Sequence, residues 1–146
     1  MKHPWKWIVA ALLTALMAFA ASCSSTPATP PPAEEEPETL SRTAFTGRIE
    51  NFFEYEPLRS GKPSQFLIHL TDLTDGTPVE QAEVSLVVRL KGSADTAAQT
   101  TSRAGKVTGI YVAELTVPKP GEYDIEFHIK NAKLDERLPL SDFKVE

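Results

Sequence analysis

The segment Tyr123-Asp124-Ile125-Glu126-Phe127-His128-Ile129-Lys130 alternates apolar and polar side chains without a break. A period of two puts Tyr123, Ile125, Phe127 and Ile129 on one face of a strand, whereas a helix would scatter them around its axis. The same pattern recurs upstream. Ser64–Thr71 places Phe66, Ile68 and Leu70 together, and Ala82–Leu90 sets Val84, Leu86, Val88 and Leu90 against Glu83, Ser85 and Arg89. Ile110–Val117 sets Tyr111, Ala113, Leu115 and Val117 against Glu114 and Thr116. A first strand is expected near Ile49–Glu56, a weak one near Ala97–Ser102 and a last one near Leu138–Val145.

Turn residues separate these runs: Asp75-Gly76, Lys91-Gly92, Ala104-Gly105 and Pro120-Gly121. No window carries a helical stripe. About seven short strands in about 100 residues predict an all-β fold, an immunoglobulin-like antiparallel β-sandwich over residues 45–146. The segment Pro118-Lys119-Pro120-Gly121-Glu122-Tyr123 resembles the turn before a late strand of such domains. That resemblance gives Tyr123 a structural role, with its ring inside and its hydroxyl hydrogen-bonded.

The first 22 residues do not belong to that pattern. They contain no acid, and Lys2 and Lys6 precede a mostly apolar run from Ile8 to Ala21. The run is too short to cross a hydrocarbon core of about 30 Å as a helix. A basic start, a short apolar run and a small-residue exit predict an export signal over residues 1–22. The exit, Ala20-Ala21-Ser22-Cys23, resembles the lipobox of bacterial lipoproteins, with Ala20 where that family most often has Leu. The resemblance implies acylation of Cys23, a membrane anchor and cleavage before it. Ser24 after the cysteine implies the outer membrane, periplasmic side, in a Gram-negative host. Ordinary cleavage after Ala18-Phe19-Ala20 is the alternative. Cys23 is the chain's single cysteine, which excludes an intramolecular disulfide.

Ser24–Thr39 reads SSTPATPPPAEEEPET, with five of the twelve prolines and four glutamates. Such a stretch cannot bury enough apolar surface to offset its ordering entropy. Residues 23–44 are therefore expected to form an acylated, disordered tether, extended at about 3.1 Å per residue where prolines dominate.

The stretch Phe53-Glu54-Tyr55-Glu56-Pro57-Leu58-Arg59-Ser60-Gly61, followed by Phe66-Leu67-Ile68-His69-Leu70-Thr71-Asp72-Leu73 and Pro78-Val79, resembles a known module. It is similar to the amino-terminal β-domain of periplasmic adaptor subunits of RND-type heavy-metal efflux systems. Gly109-Ile110-Tyr111 and Gly121-Glu122-Tyr123 also resemble YtkA-like periplasmic domains. The resemblance implies a cell-envelope setting linked to transport or heavy-metal efflux. The helical hairpin and lipoyl-like barrel of a complete adaptor are not in this sequence, so the bridging function does not carry over.

Charge narrows the functional classes. The chain carries a net charge of −5, and without Lys2 and Lys6 it holds 13 bases against 20 acids, or −7. A nucleic-acid partner, which needs a basic face, is not expected. No nucleophile elbow, phosphate-cradling loop, HExxH or paired-carboxylate motif is present, so no catalysis and no cofactor are expected. A copper(I) site would need thiolates or thioethers. His69 and His128, completed by carboxylates, are the candidate ligands for another metal. The expected function is a lipid-anchored, non-catalytic interaction or accessory module with envelope-protein partners. A periplasmic metal-binding protein using His69 and His128 is the alternative. Phe52-Phe53 sets one aromatic on each face of the first strand, as ordinary packing or as a contact patch.

Overall fold

In the computed structural model, residues 38–146 are described and contain ten strands and no helix. The expected export signal, Cys23 and the segment up to Pro37 lie outside the described residues. The strands are β1 (Leu40–Phe45), β2 (Ile49–Tyr55), β3 (Pro63–Asp72), β4 (Thr77–Pro78) and β5 (Glu83–Leu90). They continue with β6 (Thr96–Thr101), β7 (Arg103–Ala104), β8 (Ile110–Thr116), β9 (Gly121–Lys130) and β10 (Asp135–Val145).

These strands build two antiparallel sheets. One runs β1-β2-β3-β8-β7, with β4 paired to β3, and the other runs β10-β9-β5-β6. The chain changes sheet three times, between β4 and β5, between β6 and β7 and between β8 and β9, which gives the Greek-key order of an immunoglobulin-like sandwich. Seven of the strands coincide with the alternating runs. Two of the others, β4 and β7, are only two residues long, too short to show a period.

The third addition corrects the expected boundary. Leu40–Phe45 pairs residue for residue with β2, from Leu40 opposite Tyr55 to Phe45 opposite Glu50. Residues 40–44, assigned to the tether, thus belong to the sheet. The strand was not visible as an alternation because its inward positions include Arg42. That guanidinium stands 4.5 Å over the Phe143 ring and donates to the Ser141 carbonyl at 2.9 Å. An inward arginine at an open edge is a common way to blunt further pairing.

The core lies between the sheets, where Phe53 and Phe66 of one meet Phe127 and Phe143 of the other. The Phe53 and Phe127 ring centroids are 4.8 Å apart. All four rings are fully buried, and each such side chain contributes about 1.5–3 kcal/mol relative to exposure. Among the described residues every buried apolar side chain lies between Ile49 and Val145, so residues 35–146, one compact unit, carry that core and are long enough to fold on it. Tyr123 takes its expected part: its ring is buried and its hydroxyl donates to the Lys119 carbonyl at 3.0 Å.

The two poles differ. At one, β1 begins, and the chain end closes against the β2–β3 connection through Glu146 N to Leu58 O at 3.0 Å. At the other lie the β1–β2 turn, the long connection from β3 to β5, and the β9–β10 turn.

Candidate binding cleft at one pole of the sandwich

The pole remote from Leu40 is shaped by short polar side chains that fix their own backbone. Two Asp-x-Thr triplets stand in tandem, Asp72-Leu73-Thr74 and Asp75-Gly76-Thr77. Asp72 Oδ1 accepts the Thr74 amide at 2.9 Å and the Thr74 hydroxyl as well. Asp75 Oδ1 accepts the Thr77 amide at 2.9 Å and its hydroxyl at 2.7 Å. An aspartate that bonds two residues ahead imitates a backbone turn. Asn131 does the same after β9, accepting the amides of Lys133 at 2.8 Å and Leu134 at 3.0 Å.

Cross-links then join the loops. The Asn131 side-chain amide donates to the Glu80 carbonyl at 2.9 Å. Arg48, in the β1–β2 turn, donates to the Lys133 carbonyl at 2.7 Å and lies 3.4 Å from Asp72 Oδ2. Between these loops is a cleft of about 620 Å³ whose lining contains neither histidine nor cysteine. A second hollow of about 300 Å³ lies beside it against the β7–β8 turn, and Glu80 and Gln81 line both.

The carboxylates here are held in their charged form. The Thr74 hydroxyl and amide, and then the nearby Arg48, keep Asp72 below its ordinary range. The Thr77 hydroxyl and amide do the same for Asp75. The cleft presents Arg48 and Lys133 beside Asp72, Asp75 and Glu80. Such a mixed, fixed surface suits recognition of a polar segment by hydrogen bonds and charge pairs. The tandem Asp-x-Thr repeat is the sequence signal for it, and it contains none of the histidines on which the metal expectation rested.

The histidines lie elsewhere. His69 is on the outer face of the six-stranded sheet, opposite Phe52 and Ile110 in register. Its Nε2 stands 3.9 Å from Glu54 Oε2, and its ring lies 5.3 Å from that of Phe52. His128 is on the outer face of the other sheet, where its Nε2 is 2.7 Å from Asp135 Oδ1. Two packed sheets separate them, so His69 and His128 do not meet at one metal site, which corrects that expectation. The reason is topological: β3 and β9 fall in different sheets, and both histidines occupy outward positions. Among the described residues, no three His, Cys, Asp or Glu side chains group closely enough to hold a metal ion. The aromatic pair divides as the alternation requires, Phe53 into the core and Phe52 half-buried against His69.

No protein-family model matches the chain, and no curated protein matches it. Among solved structures the chain is similar to one titled "ZirS C-terminal Domain", at 12% identity and a TM-score of 0.41, covering 100% of this chain and 87% of that one.

Proposed function

We propose that this protein is a lipid-anchored, non-catalytic interaction module of the cell envelope that engages a partner through the pole bearing the cleft. The observation that carries the reading is polar separation. The strand continuous with the Pro/Glu-rich segment starts at Leu40, beside Tyr55, and the cleft is built at the other end of the same sheet. An anchor at Cys23 with a spacer of 16 residues, Ser24–Thr39, holds the domain up to about 50 Å from the lipid. Because the chain enters the domain at the pole opposite the cleft, the attachment leaves the cleft open to a partner. Its loops are fixed before any partner arrives, which lowers the entropy cost of binding. The likeness of residues 53–79 to efflux-adaptor domains supports an envelope-transport setting for the partner.

Two experiments test the proposal. Cys23→Ala should move the protein from the membrane fraction to the soluble fraction of the envelope, and an unchanged distribution rejects the anchor. Photo-cross-linking groups placed at Gln81 or Lys133 should capture one discrete protein in intact cells, while the same group at Lys119, near the opposite pole, should not. Equal capture from both poles rejects the assignment of the binding end.

A further inference from the structure

The two outer faces of the sandwich are built on different rules. On the four-stranded sheet, the charges neutralise one another. Glu126 lies 3.1 Å from Arg137 and 4.0 Å from Arg89, and Asp135 lies 2.7 Å from His128 and 3.7 Å from Lys130. This is the usual solvated face of an antiparallel sheet.

The six-stranded sheet departs from it. The register sets Phe52 beside His69 and His69 beside Ile110 in one row across β2, β3 and β8. The next row sets Glu54 beside Leu67 and Leu67 beside Val112. Four of these outward side chains, Phe52, Leu67, Ile110 and Val112, are large, apolar and half-buried, and they group around His69 on three adjacent strands with part of each left open to solvent. Phe45 of β1 points to the same face and is 60% exposed. Contiguous apolar area of this kind on a sheet face marks a contact surface, in contrast to scattered exposed residues.

Charge decides between occupants. Glu50 and Glu54 of β2 and Glu114 of β8 frame the apolar patch on the same face. Glu50 and Glu114 have no ion-pair partner among the described residues, and Glu54 has only His69 at 3.9 Å. Arg103, opposite Val112 on the short edge strand β7, is the one arginine or lysine in these rows. A second copy laid on this face would set carboxylates against carboxylates, and an anionic lipid surface would be repelled in the same way. We propose that the outer face of the six-stranded sheet docks a protein segment with an apolar stripe flanked by lysine or arginine. The stripe covers Phe52, Leu67, Ile110 and Val112, and the flanking cations pair with Glu50, Glu54 and Glu114. This surface is distinct from the polar cleft, and the proposal stands without the reading of that cleft.

The test uses residues 35–146 and three defined probes: a helical Leu/Lys amphipathic peptide, its Leu/Glu counterpart, and phosphatidylglycerol vesicles. The Leu/Lys peptide should bind, with amide shifts centred on β2, β3 and β8, and the other two probes should not. Leu67→Thr with Val112→Thr, which leaves a strand-compatible β-branched residue at both positions, should weaken binding by about tenfold or more. Glu54→Gln with Glu114→Gln should weaken it by about threefold and flatten its salt dependence. Three results overturn the proposal: no binding of the Leu/Lys peptide, equal binding of the Leu/Glu peptide or vesicles, or self-association in sedimentation equilibrium that Leu67→Thr with Val112→Thr abolishes.

Discussion

The hydroxyl of Tyr111 donates to the carbonyl oxygen of Val79 at 2.8 Å. The Tyr111 hydroxyl oxygen in turn accepts the Ala82 amide at 3.0 Å. Tyr111 belongs to β8 and its ring is buried, so one core side chain fixes both ends of the segment Glu80-Gln81 that separates the two hollows. Gln81 sits between those anchors in a left-handed conformation, φ 51°, which a non-glycine residue holds only when its surroundings over-determine it. Tyr111→Phe should therefore lower stability by about 1–3 kcal/mol and speed amide exchange at Ala82. Urea unfolding should show a lower midpoint at unchanged slope. An unchanged midpoint would reject the staple.

Gly109 is required by both its conformation and its surroundings. Its φ is +80°, and a Cβ there would come within 2.5 Å of the Pro78 Cβ. Its carbonyl also accepts the Leu70 amide at 2.9 Å, tying the start of β8 to β3. Gly76 has a similar φ of +73° but open space around it. Gly76→Ala should cost about 1 kcal/mol from conformation alone, and Gly109→Ala should cost clearly more because Pro78 must also move. Thermal melts of the two variants decide this, and equal losses would count against the close approach.

Asn51 is fully buried on the inward side of β2, and neither its side-chain oxygen nor its side-chain nitrogen has a protein partner. A buried, unpaired amide costs about 1–3 kcal/mol. Asn51→Val, which suits a strand and removes both polar atoms, should raise the unfolding midpoint. A drop of similar size would show that the amide is satisfied in solution and supports the fold.

Stability against pH should form a plateau with two edges. Asp72, Asp75, Asp135, Asp142 and Glu146 are all held below their ordinary values, by Thr74, Thr77, His128, Lys91 and Lys144 respectively. A carboxyl lowered in the folded state adds stability above its unfolded value, about 3.9 for Asp and 4.3 for Glu, and that contribution is lost as pH falls through the folded value. Lys91, raised by Asp142 and Glu122, and Lys144, raised by Glu146, act at the other edge. Their contribution is complete below about pH 10.4 and is lost as pH rises through the folded values. Tyr55, raised by burial, adds to the same alkaline loss. Melting temperatures should be flat from about pH 5 to about pH 9 and fall on both sides. Thr74→Val with Thr77→Val should make the acid fall shallower, and an unchanged acid limb would show that these turns do not set it.

The seven strands and the inward residues of the four strongly alternating ones, except Leu90, which is exposed at the end of β5, were legible because each depends on neighbours close in sequence, and the Tyr123 hydrogen bond was implied by the resemblance of its turn. Alternation reports which face of a strand is buried, and a proline–glycine turn next to a tyrosine reports a corner. β1 was hidden because its inward Arg42 is satisfied by Phe143 and Ser141, about a hundred positions away. The two-residue strands β4 and β7 are held only by their partners.

What the sequence determined by itself is the all-strand character of residues 45–146, the sidedness of the strongly alternating runs and the net negative charge, all of which are local or additive properties. Tertiary structure alone decided that His69 and His128 face away from each other on different sheets. It also decided that Arg48, Asp72 and Asn131 meet at one pole, and that Phe52, Leu67, Ile110 and Val112 share one outer face. Those relationships depend on which strands become neighbours and on which sheet each joins. Both are fixed by packing a common core, and neither is encoded in the period of any single strand.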